Sequence, residues 1–154
     1  MNKKIAFIFG ITGQDGSYLA NLLINKNFKI FGFTRSKKKK NLVNLEKLSI
    51  LDKVNLFEYL KNDNKFIEKK ILKIKPSQIY ILSGLSSVKK SFSSPIETYR
   101  SNIIVPFKIL EICRKKKLDI KIYNSVSTDC FGNQKTKLNE RSNFYPVSPY
   151  AKSK

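Results

Sequence analysis

The first seventeen residues constrain the fold of this chain more than any other segment. An apolar run, Ile5–Phe9, leads into the turn Gly10-Ile-Thr-Gly-Gln-Asp-Gly16, and a helix-like segment, Ser17–Asn25, follows. A buried strand, a glycine turn and a helix N-terminus in this order form a site for the phosphates of a dinucleotide. Glycine permits close backbone approach, and the free N–H groups of the helix receive the negative charge. The residues predicted to hold a cofactor here are Gly10, Thr12, Gly13, Gln14, Asp15 and Gly16.

The glycine spacing by itself leaves an alternative open. Glycines at 10, 13 and 16 are spaced three and three, rather than the two and three of many dehydrogenases. The same turn is therefore also compatible with a structural role in another α/β protein.

Apolar and helix-like segments alternate along the rest of the chain. This rhythm predicts a doubly wound α/β fold, a Rossmann-like parallel sheet covered by helices on both faces. In such sheets ligands bind beyond the carboxyl ends of the strands. Pro106 is expected to kink or split the last long helix. Beyond the first strand, the predicted strands are Lys29–Phe33, Val54–Tyr59, Gln78–Ser83 and Asp119–Tyr123, and the predicted helices are Asn41–Leu51, Lys65–Lys75 and Glu97–Arg114.

Length and residue usage allow a single domain, residues 1–154, to which the glycine turn assigns the binding of a dinucleotide, NAD(P). A chain of 154 residues with 41% hydrophobic content can bury one core. Its apolar runs are shorter than the roughly 18 residues of a membrane span, and the first is too short for a signal peptide. Cys113 and Cys130 lie far apart and the chain has no histidine. We therefore expect no metal site and a reducing, cytoplasmic location.

The net charge of +20 raises the question of a nucleic-acid or membrane partner. Lysine runs at Lys37–Lys40 and Lys115–Lys117 resemble such a footprint, but lysine is spread through nearly every segment and aromatic residues lie mostly inside apolar runs. A general lysine bias on solvated faces accounts for this pattern. We therefore expect neither a nucleic acid nor a membrane as partner, although positive potential would attract a phosphorylated cofactor or substrate.

Arg35, just past the second predicted strand, bears on the choice of cofactor. An acidic residue at this place would bind the two free ribose hydroxyls of NAD, whereas arginine favours the extra phosphate of NADP. The alternative is an exposed arginine without a role in binding.

Tyr150 and Lys154 suggest proton transfer at the other end of the chain. Residues four apart lie on one face of a helix. A tyrosine in water has a pKa of about 10, so it needs a cationic neighbour to act as a base near neutral pH. Because such pairs are common on helices, the spacing alone does not establish a catalytic role.

Together these segments resemble a known family. Gly-Ile-Thr-Gly-Gln-Asp-Gly-Ser at 10–17 resembles the cofactor loop of the GDP-mannose 4,6-dehydratases, in the extended short-chain dehydrogenase/reductase superfamily. The resemblance adds Leu82, Gly84 and Ser86 to the predicted cofactor site. It continues in order through Leu82–Val88, Ser91-Phe92, Ser94-Pro95, Asn124–Gly132, Glu140 and Phe144–Lys154.

The resemblance implies bound NADP and the conversion of GDP-mannose to GDP-4-dehydro-6-deoxy-mannose, a precursor of GDP-fucose, in a homo-oligomer. Tyr150 would remove the proton of the C4 hydroxyl, helped by Lys154, and Ser127 would hydrogen-bond the same oxygen. Thr128 is a second hydrogen-bonding candidate. Asp129, in the family's glutamate position, would take the C5 proton; without the resemblance it is also compatible with a turn or capping aspartate.

Several positions depart from the family pattern. Asp129 is one methylene shorter than the usual glutamate, and Phe9 stands where threonine or serine is usual. Where the family has Gly-Asp-Leu, this chain has Tyr59–Lys61. The family's aspartate contacts adenine, and Asp63 is a displaced candidate for that contact. The family also continues for roughly as long again beyond Lys154. We therefore expect a fragment without the last strands and the substrate lobe, and inactive by itself.

Two other functions remain open. A nucleotide-sugar 4-epimerase or reductase of the same superfamily would use Tyr150 and Lys154 without needing a carboxylate at Asp129. The other alternative is a basic, non-catalytic remnant that binds nucleotides or nucleic acid. Salt-dependent DNA binding without NADP binding would favour it.

Overall fold

A sheet of five parallel strands organises this computed structural model, which describes residues 3–59 and 64–154. The spatial order is β3-β2-β1-β4-β5, and every neighbouring pair is parallel. The predicted doubly wound α/β fold is thus confirmed. The strands are β1 (Ile5–Phe9), β2 (Lys29–Thr34), β3 (Val54–Glu58), β4 (Gln78–Ile81) and β5 (Lys121–Asn124); the helices are α1 (Gln14–Asn25), α2 (Val43–Lys47), α3 (Asn64–Ile74), α4 (Val88–Ser93), α5 (Pro95–Lys115) and α6 (Pro149–Ser153).

The central strand β1 is buried on both faces. Its alternate side chains enter two separate core clusters, with Phe7 and Phe9 in one and Ala6 and Ile8 in the other. An unbroken apolar run is what a parallel strand covered on both sides requires. This explains why the pattern of the segment is continuous rather than alternating.

Helices cover both faces of the sheet. On one face the strands pack against Ile67 and Ile71 of α3 and against the C-terminal half of α5, residues 105–113. On the other face they pack against Ala20 and Leu23 of α1 and Leu45 of α2. Burial of these apolar faces contributes roughly 25 cal/mol for each Å² removed from water.

The chain divides into two compact units. The first comprises Met1–Ser83 and Val105–Asn124, and the second comprises Gly84–Ile104 and Ser125–Lys154. The first unit contains the sheet with α1, α2 and α3. The second contains α4, α6 and a short 3-10 turn, Thr128–Phe131.

Helix α5 continues through Pro106, so of the two expected effects, a kink or a split, the split does not occur. Proline removes one backbone hydrogen bond, but burial of Val105, Ile109 and Cys113 supports the helix past this point. Within residues 3–59 and 64–154, no helix combines the length and the apolar character that a membrane span needs.

Three local features differ from the sequence prediction. Helix α1 begins at Gln14 rather than Ser17, and Asn41–Leu51 contains only the short helix α2 between 3-10 turns. Helix α4 was not predicted; the hydroxyl of Ser87 accepts a hydrogen bond from the Lys90 N–H at 3.2 Å and caps it. Asp63 lies outside the described residues.

Replacing Phe9 with threonine, the residue that the resembled family favours, is predicted to destabilise this chain. Phe9 is fully buried and stacks on Phe33 with ring centroids 4.3 Å apart. Its ring also makes an edge-to-face contact with Tyr59, with centroids 5.7 Å apart. We expect Phe9→Thr to lower the free energy of unfolding by about 3–5 kcal/mol, as for loss of other buried phenylalanines. Chemical denaturation measures the change.

The matched control is Phe92→Thr, because the Phe92 side chain is 62% exposed. We expect this change to stay within about 0.5 kcal/mol. Equal effects of the two substitutions would contradict the packing role of Phe9.

Candidate functional site

The turn after β1 brings backbone atoms unusually close together. Gly10 has φ +85° and its N–H donates to the Phe33 carbonyl at 3.0 Å. A Cβ on Gly10 would lie 2.9 Å from the Ser83 nitrogen, and a Cβ on Gly16 would collide with the Gly10 carbonyl oxygen. Glycine at position 10 therefore lets the turn lie against the segment after β4, and glycine at position 16 lets α1 start directly against the turn.

The N-terminus of α1 is open to a ligand. Gly13 is its N-cap residue and supplies no side-chain hydrogen bond to the first turn, where Gln14 and Asp15 are exposed. The first N–H groups of a helix lack partners within the helix and carry partial positive charge. A helix end without a side-chain cap, next to a turn built with glycines, fits the phosphates of a dinucleotide.

The segment after β2 is tied to this turn. The Thr34 hydroxyl lies 3.3 Å from the Thr12 hydroxyl and donates to the Ser36 carbonyl at 3.1 Å. Arg35, between them, is exposed. The backbone on both sides of Arg35, at Thr34 and Ser36, is thus restrained by hydrogen bonds.

Tyr59 and Ser83 lie at the carboxyl ends of β3 and β4. Tyr59 is 5% exposed, and burial raises the pKa of its phenol; the nearby Ser83 hydroxyl and the positive charge of Arg35 oppose that rise. The Ser83 Oγ is itself buried and makes no hydrogen bond of standard geometry within the described residues. Leu82, which precedes Ser83, packs partly buried against the core cluster of Ala6 and Ile8, and its N–H donates to the Phe9 carbonyl at 3.0 Å.

In the second unit, Tyr150 and Lys154 lie together on α6. The Ser148 hydroxyl accepts the Ala151 N–H at 3.0 Å and starts the helix, with Pro149 in its first turn. Lys154 is the C-cap residue, and its Nζ lies 5.9 Å from the centroid of the Tyr150 ring. The proximity that the four-residue spacing predicts is therefore present in the structure.

The Lys154 ammonium is partly withdrawn from water. Burial lowers its pKa, and Cys130 acts in the opposite direction. Its Nζ donates to the Ser125 carbonyl at 2.8 Å. Ser125 was not singled out from the sequence, because a backbone carbonyl carries no residue-specific signal.

Ser127 and Asp129 belong to the 3-10 turn that follows β5. Ser127 is its N-cap residue, and its hydroxyl accepts the Asp129 N–H at 3.2 Å. Ser127 rather than Asp129 therefore caps the turn, and Thr128 and Asp129 are exposed. The Cys130 thiol lies 3.6 Å from the Ala151 carbonyl and so contacts α6.

Asn102 is a buried residue that the sequence analysis missed. Its Oδ1 accepts the Leu85 N–H at 2.8 Å, and its Nδ2 donates to the Leu85 carbonyl at 3.0 Å and to the Ser153 hydroxyl at 2.8 Å. It therefore joins the segment Gly84–Leu85 to α6. The sequence carried no clear signal for it, because α5 also contains several charged residues and the burial of Thr98, Ser101 and Asn102 is seen only in the structure.

The same segment approaches Lys154. A Cβ on Gly84 would lie 2.5 Å from the Asn102 Oδ1 and 3.9 Å from the Lys154 Nζ. Glycine is therefore needed at position 84, where Asn102 packs. Ser86, two residues further along the chain, is exposed. The structure brings Gly84, Tyr150 and Lys154 together within the second unit. The glycine turn and Leu82 come together within the first unit.

Known proteins are similar to this chain over nearly its whole length. The profile of a protein family described as GDP-mannose 4,6 dehydratase matches residues 7–154. A GDP-mannose 4,6 dehydratase of Drosophila melanogaster is 33% identical over 98% of this chain and 40% of its own length. A GDP-mannose 4,6-dehydratase of Vibrio cholerae serotype O1 is 34% identical over 100% of this chain and 43% of its own length. The chain thus spans less than half of these relatives.

Solved structures share the fold at lower identity. A UDP-Glc/GlcNAc 4-epimerase from Campylobacter jejuni superposes with a TM-score of 0.85 at 21% identity, over 97% of this chain and 45% of that one. A UDP-glucose 4-epimerase from Brucella ovis, in complex with NAD, superposes with a TM-score of 0.81 at 18% identity, over 97% and 44%. At these identities the likeness concerns the fold and not the reaction.

Removing the Asn102 amide is predicted to destabilise the second unit. Asn102→Ala would leave the Leu85 N–H and carbonyl without their side-chain partner, at a cost of about 1–3 kcal/mol. Ser153→Ala removes a hydroxyl that accepts from Asn102 at 2.8 Å and donates to the Tyr150 carbonyl at 2.7 Å. It should cost less, because the Leu85 N–H and carbonyl keep their partner. Thermal denaturation of both variants tests this order, and a larger loss for Ser153→Ala would contradict the role assigned to Asn102.

Proposed function

Because the chain belongs to the GDP-mannose 4,6-dehydratase family, we propose that it carries the cofactor site and the acid–base residues of a hydro-lyase acting on GDP-mannose. The observation that carries this proposal is the half-buried Lys154 ammonium 5.9 Å from the ring of the buried Tyr150. The product is GDP-4-dehydro-6-deoxy-mannose.

The proposed reaction oxidises C4 of the mannose ring, eliminates water across C5 and C6, and reduces C6. A bound nicotinamide cofactor, NADP, would supply hydride acceptance at C4 and hydride return at C6. Oxidation at C4 acidifies the C5 proton, which makes the elimination accessible to a side-chain base.

Tyr150 acts as the base for the C4 hydroxyl. The Lys154 cation stabilises the phenolate that this role requires, because opposite charges attract more strongly away from bulk water. The Ser127 hydroxyl, which accepts a hydrogen bond from the Asp129 N–H, keeps its own proton available to donate to the same substrate oxygen.

Asp129 takes the C5 proton and assists departure of the C6 hydroxyl. Its exposure in the 3-10 turn leaves the carboxylate accessible to a substrate. Its side chain is one methylene shorter than the glutamate of the family, and a misplacement of about 1 Å can cost about 100-fold in rate.

The cofactor residues in the first unit divide by role. The N-terminus of α1, with Gly10, Gly13, Gly16 and their neighbours Thr12, Gln14 and Asp15, receives the pyrophosphate. Arg35 receives the 2′-phosphate of NADP. Leu82, and Gly84 and Ser86 in the second unit, are assigned as further cofactor contacts on the family resemblance.

Residues 1–154 thus serve as the nucleotide-binding part of the enzyme. GDP-mannose is the proposed substrate, a homo-oligomer the proposed assembly and the cytoplasm the proposed location. The coding sequence should be read past the codon for Lys154. If the reading frame continues, its whole product should convert GDP-mannose in the presence of NADP, with the product identified by NMR. A stop codon there would leave cofactor binding as the expected activity, and failure to bind NADP would contradict the proposal.

Loss of Arg35 is predicted to change cofactor preference. Arg35→Ser should weaken NADPH binding by about 10- to 100-fold, because a hydrogen bond to a charged group contributes about 1.5–3 kcal/mol, and leave NADH binding unchanged. Isothermal titration of the 154-residue chain with both cofactors measures the two affinities.

Arg141→Ser is the matched control, since it removes an exposed positive charge from the second unit. It should affect neither cofactor. An equal loss for NADPH and NADH in Arg35→Ser would argue against recognition of the 2′-phosphate.

Asp129 substitutions separate the dehydratase from a 4-epimerase. In the whole gene product, Asp129→Asn should abolish the elimination, whereas Asp129→Glu should raise its rate by up to about 100-fold by restoring the family's reach. Elimination rates are followed by NMR, with Asp119→Asn as a control at another exposed aspartate. Unchanged turnover in Asp129→Asn, with a 4-epimer as product, would favour the epimerase.

A further inference from the structure

The carbonyl of Thr12, inside the glycine turn, is held by a residue from a distant part of the first unit. The Asn44 Nδ2, on α2, donates to the Thr12 oxygen at 3.0 Å across 32 positions of sequence. The reactions and binding roles assigned above do not involve Asn44.

This hydrogen bond completes the restraint of one peptide plane. In a trans peptide the C=O and N–H point in opposite directions. The peptide between Thr12 and Gly13 is held at both ends, because the Gly13 N–H donates to the Gly10 carbonyl at 3.0 Å while its C=O accepts from Asn44. Rotation of this plane therefore requires both hydrogen bonds to break.

The donor is itself held by packing. Leu45, the next residue of α2, is fully buried in the same core cluster as Ile11 and Leu23. The α2 backbone is thereby fixed relative to the turn and to α1. Asn44 reaches Thr12 from a position that is organised before any ligand arrives, which reduces the entropy lost on binding.

We propose that Asn44 is a positioning residue for the pyrophosphate of the cofactor, an inference that rests on the dinucleotide site proposed above. It keeps the Thr12 carbonyl turned toward α2, so that the plane preceding α1 cannot rotate and present a carbonyl oxygen to a phosphate. The α1 N-terminus immediately after it then keeps the orientation that receives the anion.

The test replaces Asn44 with leucine, which has similar volume and no hydrogen-bond donor. The matched control is Asn55→Leu, because the Asn55 Nδ2 also donates to a backbone carbonyl, that of Ile30, at 3.3 Å. Asn55 is the second residue of β3 and so lies near the amino ends of the strands, whereas the glycine turn follows the carboxyl end of β1. Each variant loses one side-chain-to-backbone hydrogen bond, but only one loses it at the proposed phosphate site.

Two probes separate pyrophosphate binding from general loosening. The probes are NADPH and adenosine 2′-phosphate, which lacks the pyrophosphate. Asn44→Leu should weaken NADPH binding about 3- to 10-fold, the range expected for one hydrogen bond, with adenosine 2′-phosphate unchanged. Asn55→Leu should change neither.

A measurement without cofactor completes the test. Hydrogen exchange of the Gly13 amide, followed by NMR, should accelerate in Asn44→Leu and not in Asn55→Leu. Equal NADPH affinity in wild type and Asn44→Leu would overturn the inference, as would equal weakening of both probes. Lack of NADPH binding by the wild type would overturn the proposed cofactor site and the role of Asn44 with it, whereas wild-type binding with an unaffected variant would overturn only the role of Asn44.

Discussion

The close approach of α1 to the end of β1 is the constraint on which the first unit depends. The Gly10 carbonyl lies in the space that a side chain on Gly16 would need, and the backbone of Leu82 and Ser83 lies in the space that a side chain on Gly10 would need. This contact starts α1 directly after the turn that follows β1, and the strand order reverses between β1 and β4. In open parallel sheets such a switch point is where ligands bind.

Side-chain amides organise the backbone near the candidate residues of each unit. Asn44 holds the Thr12 carbonyl in the first unit, and Asn102 holds both polar groups of Leu85 in the second. A buried amide without partners is costly, at about 1–3 kcal/mol, so these hydrogen bonds favour one arrangement over its alternatives. In both places an uncharged group fixes the backbone beside residues to which we assign binding or proton transfer.

Two departures from the family pattern prove to be neighbours in space. Phe9 and Tyr59 are 50 positions apart in the sequence, yet their rings meet edge to face at 5.7 Å, and both contact Phe33. An aromatic residue at one position therefore packs against an aromatic residue at the other. Both changes add volume, and the two rings pack on each other and on Phe33 in the same part of the core.

The sequence by itself determined the parallel sheet, the strand–turn–helix at the N-terminus and the proximity of Tyr150 and Lys154 on one helix. These features follow from short sequence periodicities and from glycines at fixed spacings. Only the tertiary structure decided that Pro106 does not split α5 and that Asn44 and Asn102 are the residues holding the turns. The hydrogen bonds of Asn44 and Asn102 join residues 17 to 51 positions apart. Local pattern carries no information about such pairs, since packing of the whole core sets which distant side chain reaches a given carbonyl.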